Sequence, residues 1–476
     1  MDIEAFKKHG YELIDWIADY YTTIESRPVK SSVAPKDILN QIPSSPPQET
    51  ETFESIMKDV NEKIMPGITH WQHPNFHAYF PGNSSFPSLL GEMITSTLGA
   101  QCMIWETSPA AAELEEAVMN WLKEMMDLPD KWHGVIQDTA STATLVALIS
   151  ARERQTNFQV NEKGFEDKKL RIYCSKEIHS SIDKAVKIAG FGRANLVKIP
   201  VDKKMAMIPS ALKTAIEKDL EEGNIPCAVV AGSGTTGTLA FDPLEDIGKI
   251  CSEFGLWFHV DAAYAGTSRV LEEQRHLTAG VELADSYVFN PHKWMFTNFD
   301  CTAYYVKDKE VLIRSFEILP EYLKTKTQGL VNDYRDWGIQ LGRRFRALKL
   351  WFVIRSFGVE GLKSRISNHI AYAKWLESKI AADPQFELLA PCELNMVVFR
   401  YTNPDLSEED LNRLNESILT SINKSGEAYI THTKVNSKYV IRIVTGQTYL
   451  EKRHVEKVWS LVELHTQKVL DQISAM

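Results

Sequence analysis

The sequence is poor in the features that would assign it to several large protein classes. It has no run of 18 or more apolar residues, so no segment reads as a membrane-spanning helix. Its six cysteines (Cys102, Cys174, Cys227, Cys251, Cys301 and Cys392) lie far apart with no C-x-x-C pair. That suits buried thiols in a reducing compartment better than a disulfide framework or a zinc site. Positive charge is in deficit: 53 Lys and Arg against 63 Asp and Glu leave a formal charge of −10. Nucleic acid and anionic membranes require the opposite balance. The first 21 residues alternate apolar and charged side chains and lack the basic-then-apolar layout of a secretory signal. Asn83-Ser84-Ser85 and Asn423-Lys424-Ser425 match glycosylation acceptors in form only, since nothing points to secretion. There is no internal repeat, and the expected location is cytoplasmic.

What is present is ordinary globular composition, 44% hydrophobic and 24% charged over 476 residues, enough for two or three packed regions. The pattern predicts a helical arm over residues 1–85, a large domain over 86–350 and a smaller α+β domain over 351–476. In the arm, an amphipathic helix ending near Arg27-Pro28 leads into a Pro/Ser-rich stretch (Pro35 to Pro47) and an aromatic loop, THWQHPNFHAYFP. The next helix is expected to open at Ser108-Pro109. From Gly134 to about Asp308, apolar strand runs (171–174, 196–199, 227–231, 256–260 and 286–290) alternate with helical patterns (179–189, 210–222 and 243–254). This predicts an α/β fold with a mostly parallel sheet. A long helical pattern follows Arg343, and strands are expected near 396–400 and 439–444.

The chemistry concentrates at strand ends. Asn290-Pro291-His292-Lys293-Trp294 places a lysine just after one strand, in an apolar setting that favours the neutral amine a Schiff base needs. Asp261 ends another strand in FHVDAAYAG, and such a carboxylate needs a cationic partner, which the protonated ring nitrogen of pyridoxal phosphate (PLP) would supply. Ala262 and Ala263 would let a flat ring approach the backbone. Thr139 to Thr144 precedes a helix over 145–152 and offers hydroxyls and N–H groups to an anion. His179, at a strand-to-helix junction, could lie on a planar cofactor. Gly232-Ser233-Gly234-Thr235-Thr236-Gly237 spells a dinucleotide motif, but Asp242-Pro243 marks a helix that starts too late for one. His70, His73 and His77 have the spacing of zinc ligands on a helix, yet Pro74 and HAYFP favour an aromatic wall instead.

Together NPHKW, HVDAAYAG, GVIQ-x-x-AS-x-ATL and HSS resemble the group II PLP-dependent decarboxylases of fold type I, and most of all the aromatic L-amino acid decarboxylases. THWQHPNFHAYFP, SPAAAELE, LPEYLKT and DYRDWGIQLGRRFRALKLWF extend the resemblance over essentially the whole chain. The resemblance implies a large PLP-binding domain, an arm that helps form a homodimer, and no metal. It implies that Lys293 carries PLP, Asp261 pairs with its ring nitrogen and His179 stacks on the ring. Ala140, Ser141, Asn290 and His292 would hold the phosphate, and Thr236 would lie near the 3′ oxygen. Tyr322, on a loop over Leu319–Gly329 that closes on the neighbouring subunit's site, or else His179, would help protonate the α-carbon. Trp71, Tyr79, Phe80, Pro81, Leu341 and Gly342 would surround the substrate ring, with Gln101 and Met103 reaching across from the other subunit. Gly82 stands where many relatives carry a hydroxyl residue. The products expected are an arylalkylamine and CO2. Aldehyde-forming relatives, which carry Phe in place of Tyr322 or Asn in place of His179, are the alternative.

Overall fold

The structure, a computed structural model, describes residues 1–318 and 330–474. The chain divides into two compact units, one of residues 82–374 with 390–396, the other of residues 1–81, 375–389 and 397–476.

The first unit is built on a seven-stranded sheet. Its strands are β1 (His133–Gln137), β2 (Leu170–Ser175), β3 (Leu196–Ile199), β4 (Ile225–Gly232), β5 (Trp257–Asp261), β6 (Ser286–Phe289) and β7 (Thr302–Val306), in the order β1-β7-β6-β5-β4-β2-β3. The run β3-β2-β4-β5-β6 is parallel, and β7 lies antiparallel to both β6 and β1. Every residue of β5, β6 and β7 is buried, which explains their continuous apolar character: a sheet covered on both faces shows no alternation. The sequence reading finds five of these strands within two residues at each end. It omits two: β1, at the edge of the sheet, and β7, whose antiparallel insertion between β1 and β6 no local pattern announces.

Two of the helices that bear on the site differ from expectation. Helix Ala140–Gln155 begins five residues early because Thr139 caps it, its Oγ1 accepting from Thr142 N. Residues 140–144 therefore form the first turn itself. Helix Phe86–Leu98 falls where no helix is expected, although Pro87 in its first turn and Gly99 in the left-handed conformation (φ 55°) mark both ends. The helix at Pro109–Met125 forms as expected, but Ser108 makes no side-chain cap bond. Helix Arg346–Ala382 breaks at Gly358 (φ 65°, ψ 171°), a backbone that only glycine adopts readily.

The second unit holds helix Ile3–Thr22, capped by Asp2 Oδ1 accepting from Ala5 N at 2.8 Å. It also contains a four-stranded sheet of β8 (Phe386–Leu388), β9 (Met396–Tyr401), β10 (Thr431–Val435) and β11 (Lys438–Val444), ordered β10-β11-β9-β8. The short β8 and the half-exposed β10 are the strands the sequence reading lacks. No helix among the described residues is long and apolar enough to cross a membrane, and all six cysteines are buried and unbridged.

Candidate active site

The carboxyl ends of β4, β5 and β6 bring the strand-end residues together. Gly232 and Asp261 are register partners, and Ser233 N donates to Asp261 O at 2.8 Å. After β6 the chain turns through Asn290 into the short helix Pro291–Trp294, which carries Lys293. This turn is held on several sides. Asn290 N donates to Ala263 O at 2.9 Å, and Asn290 Oδ1 accepts from Thr302 Oγ1 at 2.8 Å. His292 N donates to Cys301 O at 3.2 Å, while Cys301 N donates to His292 Nδ1 at 3.0 Å.

A residue that sequence reasoning missed completes the clamp. Asn83 N donates to His292 O at 3.0 Å, and its Nδ2 donates to Lys293 O at 2.5 Å. Asn83 is buried, so the glycosylation triplet it opens is a coincidence of letters. The one signal that could have found it is an amide among the prolines and aromatics of the loop.

Lys293, Asp261 and His179 form one electrostatic group. Burial lowers the pKa of Lys293 while Asp261 opposes the shift. Burial likewise lowers His179, with Asp261 raising and Lys293 further lowering it. His179 lies just before helix Ser181–Ile188, and its Nδ1 accepts from Ser181 N at 3.2 Å and faces Ser181 Oγ at 2.8 Å, leaving Nε2 as the other working atom of the ring. Asp261 Oδ1 accepts from Ala263 N at 3.1 Å. His292 is pushed down to about 3 by burial, with Lys293 adding to the shift, so it stays a neutral scaffold for the turn.

The first turn of helix Ala140–Gln155 presents N–H groups that have no partner within the helix. Asp138, at its mouth, is held below the usual carboxylate range: burial works against this, but bonds from Thr142, Thr139 N and Gln340 outweigh it. Its charge is thus spent locally. In the turn containing Thr236, Gly234 and Thr235 N both donate to Ala240 O at 2.9 Å, and a Cβ on Gly234 (φ +86°) would lie 2.4 Å from Ala265 Cβ. These glycines serve a tight turn, and the next helix opens only at Leu244, as expected.

Of the expected ring-pocket residues, Gln101, Met103, Leu341 and Gly342 belong to the same unit as Lys293. Arg343 N donates to Gln101 Oε1 at 2.7 Å, and a Cβ on Gly342 would lie 3.3 Å from Gln101 Nε2. Arg335 N donates to Met103 O at 2.8 Å. Gln101 and Gly342 are therefore neighbours within one chain. Gly82 opens this unit, and a Cβ there would meet open space. Trp71, Tyr79, Phe80 and Pro81 belong to the other unit. There Trp71 stacks on Tyr79 (5.8 Å, 14°), Tyr79 Oη lies 3.1 Å from Tyr429 Oη, and Arg442 covers the Phe80 ring at 5.6 Å. His70, His73 and His77 diverge, to Tyr20 Oη, Asn75 N and Val444 O respectively. Tyr322 and the loop Leu319–Gly329 lie outside the described residues.

A family model for the pyridoxal-dependent decarboxylase conserved domain matches residues 35–402. The chain belongs to the pyridoxal-dependent decarboxylase family. As a member it is 42% identical to tyrosine decarboxylase 2 of Narcissus pseudonarcissus, over 97% of this chain and 94% of that one. It is 43% identical to a phenylacetaldehyde synthase of Arabidopsis thaliana, over 97% and 96%. The crystal structure of Oryza sativa TDC with PLP and tryptamine superposes with a TM-score of 0.96 at 35% identity, covering 98% of this chain and 99% of that one.

The residues of this pyridoxal-dependent decarboxylase fit the cofactor. An amine of lowered basicity, a carboxylate at the end of a buried strand, small residues beside it and an open helix N-terminus are the donor set that an aldehyde-bearing pyridine phosphate requires.

Proposed function

We propose that the chain decarboxylates aromatic L-amino acids with PLP, releasing the arylalkylamine and CO2, and that it works as a cytoplasmic homodimer. The observation that carries the reading is the Lys293–Asp261–His179 group at the strand ends. PLP, when bound, supplies the electron sink that makes loss of the carboxylate feasible.

The chain's own residues do the rest. Lys293, its pKa lowered by burial, would hold the cofactor through Nζ and could give it up to the substrate amine. Asp261 would favour a protonated ring nitrogen by charge pairing, and His179 would hold the ring face. Ala140, Ser141, Asn290 and His292 would hold the phosphate end, and Thr236 the 3′ oxygen. Tyr322, or His179 through Nε2, returns a proton to the α-carbon. Trp71, Tyr79, Phe80, Pro81, Gly82, Gln101, Met103, Leu341 and Gly342 shape the substrate site, where flat aromatic walls suit a ring. A distal carboxylate such as that of glutamate would need a basic clamp. Arg343, beside Gly342, is already committed to Glu115 Oε1 at 2.6 Å and Ile136 O at 2.8 Å.

Aldehyde synthesis is the second reading, favoured by the 43% identity to a phenylacetaldehyde synthase. Tyr322 and His179, both of the decarboxylase type, support amine formation. The test is a competition assay with PLP and equal L-tryptophan, L-phenylalanine, L-tyrosine, L-DOPA and L-glutamate, read by mass spectrometry. Aromatic amines and CO2 are expected; stoichiometric aldehyde, ammonia and peroxide would overturn the assignment. Gly342→Ser, which crowds Gln101, is expected to lower the tryptophan-to-tyrosine ratio of kcat/KM by about tenfold. An unchanged ratio removes Gly342 from ring selection.

A further inference from the structure

Behind Asp261 and Lys293 lies a buried polar chain that the proposed reaction does not itself use. His259 sits two residues before Asp261 in β5, on the same face of the strand, at a fully buried position. Both of its ring nitrogens have partners. Nδ1 faces Ser286 Oγ at 2.8 Å, and Nε2 faces Thr144 Oγ1 at 3.2 Å. Ser286 is also its direct register partner across β5 and β6, and Ser286 Oγ accepts from Trp257 Nε1 at 2.8 Å.

These contacts join three elements. Thr144 belongs to helix Ala140–Gln155, one turn beyond the proposed phosphate residues Ala140 and Ser141. Ser286 opens β6, which runs into Asn290 and the Lys293 turn. His259 itself leads into Asp261. Burial pushes the imidazole down to about 4, with Asp261 opposing, so it is neutral and presents one donor and one acceptor. A polar ring in the middle of an all-buried strand costs stability unless both nitrogens are satisfied, and here both are.

We propose that His259 is a positioning residue, which by bridging Thr144 and Ser286 sets the spacing between the phosphate-holding helix, Asp261 and the Lys293 turn. The proposal rests on the PLP reading given above. It assigns His259 no contact with substrate or cofactor.

The test compares full-length variants loaded with PLP, measuring the PLP dissociation constant, the visible absorbance of the bound cofactor and the thermal midpoint of the PLP-free form. Thr144→Val keeps the side chain's shape and loses its hydroxyl, whereas Thr144→Ser keeps the hydroxyl and loses a methyl. Thr144→Val is expected to weaken PLP binding about tenfold and to shift the absorbance band, the loss of about one buried hydrogen bond. Thr144→Ser should stay within about twofold of the parent. His259→Phe should weaken binding at least as much, and adding Thr144→Val to it should bring no further loss. If Thr144→Ser is the worse of the pair, or Thr144→Val binds PLP as the parent does with an unchanged spectrum, the proposal fails; this holds even should His259→Phe not fold. Borohydride trapping of PLP on the parent chain, absent from Lys293→Ala, is measured first. Failure of that control would overturn the PLP reading itself, a result distinct from a normal control with unaffected Thr144 variants.

Discussion

Lys293 and Lys349 lie in the same compact unit, and burial lowers the pKa of both, yet their surroundings differ. Lys349 is 1% exposed, and its Nζ forms an ion pair at 3.1 Å with Glu92, a carboxylate that Arg344 also engages. Burial pulls it down to about 8 against the pull of Cys301 and Asp300. It is sealed where helix Phe86–Leu98 crosses helix Arg346–Ala382, and a Cβ on Gly91 would fall 2.8 Å from Lys349 Cα. Lys293 instead follows a strand end, electrostatically coupled to Asp261 and His179, on a turn clamped by Asn83. Lowered basicity alone does not mark a reactive amine. What separates the two is a strand-end position beside groups that can hold a cofactor, against a helix crossing with no room for one.

The comparison breaks most directly by exchanging the lysines' fates. Lys293→Ala is expected to lose borohydride-trappable PLP and at least about 10³-fold in activity, whereas Lys349→Met should stay within a few fold. Comparable losses in both would make burial the deciding property after all. At the helix crossing, Gly91→Ala forces its methyl onto backbone, and we expect a cost of about 1–3 kcal/mol in denaturant titration with the bound-PLP spectrum preserved. A neutral outcome would show that the crossing is loose. A pH dependence sharpens the comparison further. The unfolded chain keeps the Lys349 proton up to about 10.5, whereas the folded chain releases it near 8. Lys349 therefore costs the fold stability below pH 8, and the cost is relieved as pH rises from 8 toward 10.5. In thermal scans, the parent should gain on Lys349→Met across that window. A gap that is constant with pH would mean that Glu92 fully compensates the charge.

Legibility followed the range of the interactions. The apolar runs of β2 to β6 and the residues just beyond β5 and β6 were readable because strand pattern and strand end are local properties. β1, β7, β8 and β10 are not: β1 offers only a short apolar stretch at the sheet edge, β8 is short, β10 is half-exposed, and β7 is inserted antiparallel between β1 and β6. The turn over residues 140–144 is readable in composition but misplaced in structure, since Thr139 as cap draws the helix start back to Ala140. Asn83 is passed over because nothing local announces that its backbone and amide reach the Lys293 turn some 210 positions away.

By itself the sequence determined that a carboxylate and a lysine would each follow an apolar strand run and that hydroxyls and small residues would lie at a helix start. Each of these depends on neighbours within a few positions. Only the tertiary structure decided that Asn83 grips the Lys293 turn, that Gln101 lies against Gly342 and Arg343, and that His259 links Thr144 to Ser286. Most of these pairs are separated by 115 to 242 positions along the chain. No helical or strand period spans such a gap, and only the closed, packed core brings the partners within a hydrogen bond of each other.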